Sequence, residues 1–319
     1  QLAKYQKAKD CYEKAIELNP NHVEAHNNLG SVHQELGEHQ KAKDYYEKTI
    51  ELNPNYVNAY NNLGTIFKKL GEHQKAIGCY EKAIKINPNH ANVIFNMGRS
   101  LKALGEFNKS AKFFEQFLKI YPEDHLGAIL ELATIGKKDI PNKTPKKFLQ
   151  NFYNKKSKSW CKQENSSYQG HELIENAFKQ SYKEQKKIDI LDLGCGTGSL
   201  AGFLRPYARR LIGLDLSKDM IVEAEKKGLY DTLLNKELDK YLEETSSQYD
   251  AVIAAAVMIH FFDLESTFTL IRNSLKKDGK FIFSVFKGEK KDKELNSFLM
   301  YSHSDSYINT LADRLKFKI

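Results

Sequence analysis

Two patterns of apolar spacing divide the chain, and they change over near residue 137. Up to residue 124 the pattern repeats every 34 residues: Gly30, Gly64 and Gly98 are one period apart, as are Gly37, Gly71 and Gly105, and Pro20, Pro54, Pro88 and Pro122. Within each block Leu29-Gly30, Leu63-Gly64 and Met97-Gly98 fall on a first helix. Ala42, Ala76 and Ser110 then open a second helix whose apolar face carries Tyr45/Tyr46, Tyr80 and Phe113/Phe114. Small residues let two helices approach closely, the large rings are expected to fill the gap to the next block, and proline after asparagine ends the second helix. The predicted blocks are 23–56, 57–90 and 91–124, with a partial block over 1–22 and a closing helix through Ile135.

Beyond residue 137 the period is lost. Phe148 to Tyr182 reads as helical, and from Lys187 strands and helices alternate. Ile188, Ile190, Leu191 and Leu193 form a nearly continuous branched apolar run, as expected of a parallel strand covered on both faces. Strands are predicted at 188–193, 210–214, 232–235, 249–255 and 280–286, with helices near 199–208, 217–228, 236–244, 264–277 and 305–315. The expected architecture is α + α/β: an all-α solenoid over 1–136, a lysine-rich linker over 137–147, and a doubly wound, Rossmann-like α/β domain over 148–319.

Composition supports two domains and removes some classes of function. A chain of 319 residues has room for two cores of about 100–200 residues each. No stretch approaches the roughly 18 consecutive apolar residues of a membrane span, so a membrane protein is not expected. Cys11, Cys79, Cys161 and Cys195 show neither a disulfide framework nor metal-ligand spacing, which predicts no metal site and a reducing, cytoplasmic setting. The chain opens Gln-Leu-Ala inside an apparent helix, which leaves its natural N-terminus open. The net charge of +8 lies mostly in the second half, where Lys137 to Lys162 holds nine lysines and one acidic residue, Asp139. Arginine is absent there and aromatics are few, so a solvated connector is expected rather than a nucleic-acid site.

The chemistry is concentrated where the first strand stops. Gly194, Gly196 and Gly198 are spaced by single residues, so backbone N–H groups can approach a ligand with no side chain in the way. A dinucleotide loop is spaced GxGxxG, whereas this loop is GxGxG followed by Ser199. Asp192, two residues before the first glycine, would repel a pyrophosphate and suits a sulfonium or ammonium. Asp215 ends the second strand, where a carboxylate is a natural acceptor for a vicinal diol, although it also fits an N-cap. Glu237 follows the third strand and fits equally a solvated charge at a helix start. Cys195 is a small residue between two glycines and is discounted as a nucleophile.

The run Asp192-x-Gly194-x-Gly196-x-Gly198 resembles motif I of class I S-adenosylmethionine-dependent methyltransferases. That resemblance implies S-adenosyl-L-methionine as cofactor, with Asp215 on the ribose hydroxyls and Glu237 facing the adenine amino group. The 34-residue blocks resemble tetratricopeptide repeats, and from about Phe148 the chain resembles predicted methyltransferases that carry such repeats. The shared features are a leading helical segment like Phe152 to Phe178, a stretch like Tyr249-Asp250-Ala251-Val252, and a late Tyr301-Ser302-His303-Ser304. Tyr168 resembles a tyrosine that closes over the cofactor. Two positions depart from that family: Ala256, where Asp is common, and His260, where Tyr is common.

Methyl transfer needs no metal or covalent nucleophile, only positioning and, for an acceptor that carries a proton, a base. His260, Tyr301 and His303 are the candidates. Asn28, Asn62 and Asn96 recur every 34 residues, as in superhelical repeats of protein glycosyltransferases, and would either line an inner groove that captures an extended peptide or hold the helix hairpins together. The resemblances together predict a methyltransferase whose repeats recruit a protein substrate or partner. The alternatives are a non-catalytic repeat scaffold with a cofactor-binding domain, motivated by Ala256, and a small-molecule methyltransferase. Leu315 to Ile319 reads as the start of a sixth strand, so the sheet is expected to lack its last strand and expose an edge.

Overall fold

The computed structural model describes residues 2–160, 169–182, 187–289 and 291–319. The chain divides into two compact units, Gln1–Asp124 with Ile135–Lys137, and His125–Thr134 with Lys138–Ile319. Among the described residues no helix is long and apolar enough to cross a membrane.

The first unit is a run of seven helices: α1 (Leu2–Leu18), α2 (Val23–Glu35), α3 (His39–Leu52), α4 (Val57–Lys69), α5 (His73–Ile86), α6 (Ala91–Ala103) and α7 (Phe107–Ile120). Each turn inside a block is built the same way. Gly37, Gly71 and Gly105 take φ of +80°, +77° and +77°, and the following N–H reaches back to the carbonyls of His33, Phe67 and Leu101 at 2.9, 2.8 and 3.0 Å. This paired closure of a helix end needs a left-handed residue, which glycine supplies without steric cost. Between blocks, Asn19, Asn53 and Asn87 accept from the backbone N–H two residues on at 3.0 to 3.1 Å, fixing the turn around each proline.

The repeating glycines of the first helices meet rings of their own block. A Cβ at Gly30, Gly64 or Gly98 would stand 2.7, 2.5 or 2.8 Å from the nearest ring atom of Tyr46, Tyr80 or Phe114. The rings therefore fill the space between the two helices of one block, and Tyr46 and Tyr80 also pack with Leu63 and Ile66, and with Val93 and Met97, of the next block, as expected.

In the second unit a short helix α8 (Ala128–Thr134) precedes α9 (Lys146–Trp160) and α10 (Gly170–Ser181). The segment leading into α8 is tied to α9: Asn151 Nδ2 donates to His125 O at 3.0 Å, and the Phe148 ring lies against Gly127. The helix expected to close the repeats thus belongs to the second unit.

The alternating pattern then gives β1 (Ile188–Leu193), α11 (Ala201–Leu204), β2 (Ala208–Asp215), α12 (Lys218–Glu225), β3 (Thr232–Asn235), α13 (Leu238–Glu243), β4 (Tyr249–Ala254), α14 (Glu265–Ser274) and β5 (Leu275–Phe283). All five strands are parallel, in the order β3-β2-β1-β4-β5. Alternate residues feed two cores: Leu191, Leu193, Leu214 and Val252 face α14, while Ile190, Leu211, Ala251 and Ile253 face the side of Phe178 and Leu204. The order reverses at β1, where crossovers leave in opposite directions. A crevice opens there at the carboxyl ends of β1 and β4.

A second, small sheet that the apolar pattern does not foretell is made of β6 (Phe286–Lys287), β7 (Lys293–Leu295) and β8 (Tyr301–His303), and two expectations are corrected. The last helix, α15 (Asp305–Arg314), is closed by Lys316 at φ +58° and by Phe317 N bonding Ala312 O at 2.9 Å. Phe317 then packs against Phe268 and Phe281, so 315–319 starts no sixth strand. The lysine-rich stretch is no solvated connector beyond residue 141. Phe262 N donates to Asn142 O at 2.8 Å and Thr144 N to His260 O at 3.0 Å, and Lys143 pairs with Phe261 as an isolated β-bridge.

Candidate functional site

The crevice at the end of β1 is a cavity of about 180 Å³. Its floor is the glycine loop, in which Gly194, Gly196 and Gly198 all take left-handed φ of 55° to 76°. A Cβ on Gly196 would enter open space, whereas one on Gly194 would collide with the Val257 side chain that follows β4. The loop is therefore pressed against β4 on one side and bare toward the cavity on the other.

Two carboxylates face this cavity from the ends of adjacent strands. Asp192 on β1 is 2 % exposed and accepts a hydrogen bond from Tyr230 Oη at 2.7 Å. Asp215 ends β2, accepting from Gly196 N at 2.9 Å and from Ser217 N at 2.7 Å. Those two amides tie the glycine loop to the start of α12. Ser217 itself caps α12, accepting from Met220 N at 3.2 Å, and donates to Asn154 Oδ1 of α9 at 2.6 Å. Loss of water is the main influence on both acids. It pushes Asp192 up to about 7, where Asp215 adds like charge and the Tyr230 hydrogen bond opposes the rise, and it pushes Asp215 up to about 6 against its two amide donors. Neither acid pairs with a cation among the described residues. Burial likewise raises the Cys195 thiol well above its ordinary value, so it stays protonated.

Glu237 lies at the mouth, in the N-cap position of α13, and accepts from Lys146 Nζ at 2.9 Å. That hydrogen bond holds its carboxyl below the usual range. Lys143 pairs in the same way with Asp239. The stretch 141–146 is thus strapped along the cavity by two ion pairs and the bonds to 260–262, and Lys143, Thr144 and Lys146 line it. Ala256 also lines it, in a left-handed conformation (φ 55°) held by Ser284 Oγ accepting its N–H at 2.9 Å.

His260 stands on the wall, 2.7 Å from Tyr153 Oη through Nε2, with the two rings edge to face. Its Nδ1 is buried with no hydrogen-bond partner among the described residues. Burial lowers its pKa to about 4, so the imidazole is neutral at ordinary pH. Tyr301 and His303 do not reach the cavity. Tyr301 is fully buried with its hydroxyl on Pro141 O at 2.7 Å, and His303 faces Phe262 O at 3.3 Å and stacks on Tyr307. Both are held by the fold, so they are removed from the list of bases. Tyr168 lies outside the described residues. Gly198 shapes the loop without lining the cavity.

Sequence reasoning missed Tyr153, His171 and Lys146 on the wall, and Asn154 and Tyr230 behind it. The available signal was in α9, where Leu149 and Tyr153, one turn apart, share a helix face that needed a partner.

In the first unit the repeating asparagines are linked into one chain of carboxamides. Lys68 Nζ donates to Asn96 Oδ1 (2.7 Å), Asn96 to Asn61 (3.1 Å), Asn61 to Asn62 (3.4 Å), Asn62 to Asn27 (3.1 Å) and Asn27 to Asn28 (3.3 Å). Asn28, Asn62 and Asn96 are half-buried, and these bonds run from block to block.

Comparison with known proteins places names beside this geometry. A tetratricopeptide-repeat family profile matches residues 23–89 and 55–123, a second repeat profile matches 1–37, and a methyltransferase-domain profile matches 191–281. An uncharacterized methyltransferase of Schizosaccharomyces pombe is 29 % identical over 128 residues, covering 36 % of this chain and 43 % of its own. A probable S-adenosylmethionine-dependent methyltransferase of Saccharomyces cerevisiae is 31 % identical over 147 residues, covering 42 % of this chain and 48 % of its own. The chain thus spans about half the length of these curated relatives. Among solved structures, that of MamA aligns at 25 % identity with a TM-score of 0.39, covering 43 % of this chain and 82 % of that one.

Proposed function

We propose that this chain, which joins tetratricopeptide repeats to a methyltransferase domain, is an S-adenosylmethionine-dependent methyltransferase whose repeats recruit a protein substrate or partner. The observation that carries the reading is the pair of carboxylates, Asp192 and Asp215, facing one cavity beside a bare glycine loop, with no cation among the described residues against them. That donor set fits a cationic ligand that also carries a diol. S-adenosylmethionine, when bound, supplies a methyl group on a positively charged sulfur.

The chain's own residues then divide the work. Asp192 offers negative charge to the ligand's cationic portion, Asp215 accepts from ribose hydroxyls, and Glu237 at the mouth serves the adenine end. At the other end, Tyr153 Oη and His260 Nε2 share a hydrogen bond. With Nε2 unprotonated, Tyr153 would pass its proton to His260 and take the acceptor's proton as the methyl–sulfur bond breaks, the new bond to carbon forms and the neutral thioether leaves. The apolar wall of Leu149, Val257 and Phe261 excludes water from the transfer. The test is incorporation of labelled methyl groups from S-adenosylmethionine into a cell lysate, which Asp215→Ala must abolish.

One observation favours a second reading. The Asn28, Asn62 and Asn96 carboxamides are already engaged in the chain of bonds running from Lys68, so a peptide would have to displace internal partners. If the repeats serve assembly, the acceptor is a small molecule. Label in acid-precipitated protein supports recruitment of a protein substrate, and label confined to the soluble fraction supports the small-molecule reading.

A further inference from the structure

The segment 227–231, between α12 and β3, carries three polar side chains that brace the donor site from behind. Lys227 Nζ donates to Gly198 O at 3.2 Å and Tyr230 Oη to Asp192 Oδ2 at 2.7 Å. Asp231 Oδ2 accepts from Leu211 N at 2.7 Å and from Arg205 at 2.7 Å. The Tyr230 ring lies beside two glycines: a Cβ at Gly213 would stand 2.8 Å from its Cε1, and a Cβ at Gly198 would stand 3.1 Å from its Cε2. Gly213 is the register partner of Asp192 across β1 and β2. The missing side chain at Gly213 is what lets the ring pass and bring its hydroxyl to the carboxylate. Tyr230 does not line the cavity, so it acts through Asp192 and the loop.

We propose that Tyr230 is a positioning residue of the donor site, holding the Asp192 carboxylate for the ligand's positive charge while it props the glycine loop. The proposal rests on the donor reading above. The surroundings of Asp192 make this one hydroxyl matter. Asp215 approaches from β2 with like charge, the Cys195 thiol of the loop is buried and protonated, and His260 across the cavity is neutral. Among these groups the Tyr230 O–H is the one that favours the Asp192 anion, since a hydrogen bond donated to a carboxylate stabilises its charged form.

Tyr230→Phe keeps the ring beside the glycines and removes only the hydroxyl. Two readouts follow it: carboxyl titration of the free protein by infrared difference spectroscopy, with Asp192→Asn assigning the band, and calorimetric binding of S-adenosylmethionine between about pH 5.5 and 8.5. Losing a hydrogen bond to a charged group should move the Asp192 titration, and the pH of half-maximal binding, upward by about one pH unit. Binding at the alkaline end should stay within about twofold, because there the carboxylate is ionised in both proteins. An unmoved titration, or loss of binding at every pH, overturns the proposal. Failure of the wild-type protein to bind at any pH defeats the donor reading instead, and the titration of the free protein then still decides the role of Tyr230.

Discussion

Tyr153 Oη and His260 Nε2 lie 2.7 Å apart across 107 residues of sequence, joining the helix before the sheet to the segment after β4. If this pair handles the acceptor's proton, His260→Gln lowers the rate of methyl incorporation by about 10²- to 10⁴-fold and Tyr153→Phe by about tenfold, with donor affinity nearly unchanged. Because burial lowers the His260 pKa to about 4, the imidazole stays neutral from pH 5 to 8 and gives no acid limb there. Single-turnover rates across that range, with donor binding measured in parallel, check this.

The two acids of the site make stability depend on pH in an unusual direction. Asp192 and Asp215 keep their protons up to about pH 7 and about pH 6 in the folded chain, far above an unfolded aspartate at roughly 3.9. A raised carboxyl contributes stability that is complete below the unfolded pKa and lost as pH rises through the folded one. Asp192→Asn should therefore stabilise the free protein by on the order of 4 kcal/mol at pH 8, with the gain shrinking as pH falls and approaching zero only below the unfolded pKa, roughly 3.9. Thermal melts of both proteins across this range test it. A difference that does not grow with pH would sink the assignment of a buried, desolvated Asp192.

Much of this architecture is readable from residue spacing. The 34-residue period marks the helices of the first unit because each block repeats its glycine turns and its glycine-to-ring contact. The strands of the large sheet are legible because both faces are buried, which leaves nearly continuous apolar runs such as Ile190, Leu191 and Leu193 around Asp192. Legibility fails where polar residues find partners far along the chain. β5 starts at Leu275, inside a stretch that reads as helix, because Lys276 pairs with Asp189 and Asp250 and so tolerates a strand. The small sheet has strands of two or three residues, too short to show alternation. Asp192, Asp215 and the glycines announce the site locally. Tyr153, Lys146 and Tyr230 enter it only through tertiary contacts that no local pattern records.

Two glycines in neighbouring helices should respond to the same substitution with opposite signs. Gly64→Ala places a Cβ 2.5 Å from the buried Tyr80 ring and should destabilise the protein by about 1–3 kcal/mol. Gly78, within α5, has nothing within 4 Å of a Cβ, and Gly78→Ala should stabilise by up to about 1 kcal/mol. Urea denaturation followed through helix content measures both. Equal effects would contradict the tight packing between the two helices of a block.

The central claim is that the cavity above Asp192 and Asp215 holds S-adenosylmethionine, and calorimetric titration of that compound into the purified protein near pH 8 tests it most directly. The account predicts saturable one-to-one binding that Asp215→Ala weakens by about 100-fold or more, the cost of removing a charged acceptor from a desolvated site. No heat of binding in the wild-type protein, or equal affinity in the wild-type and Asp215→Ala proteins, would contradict it.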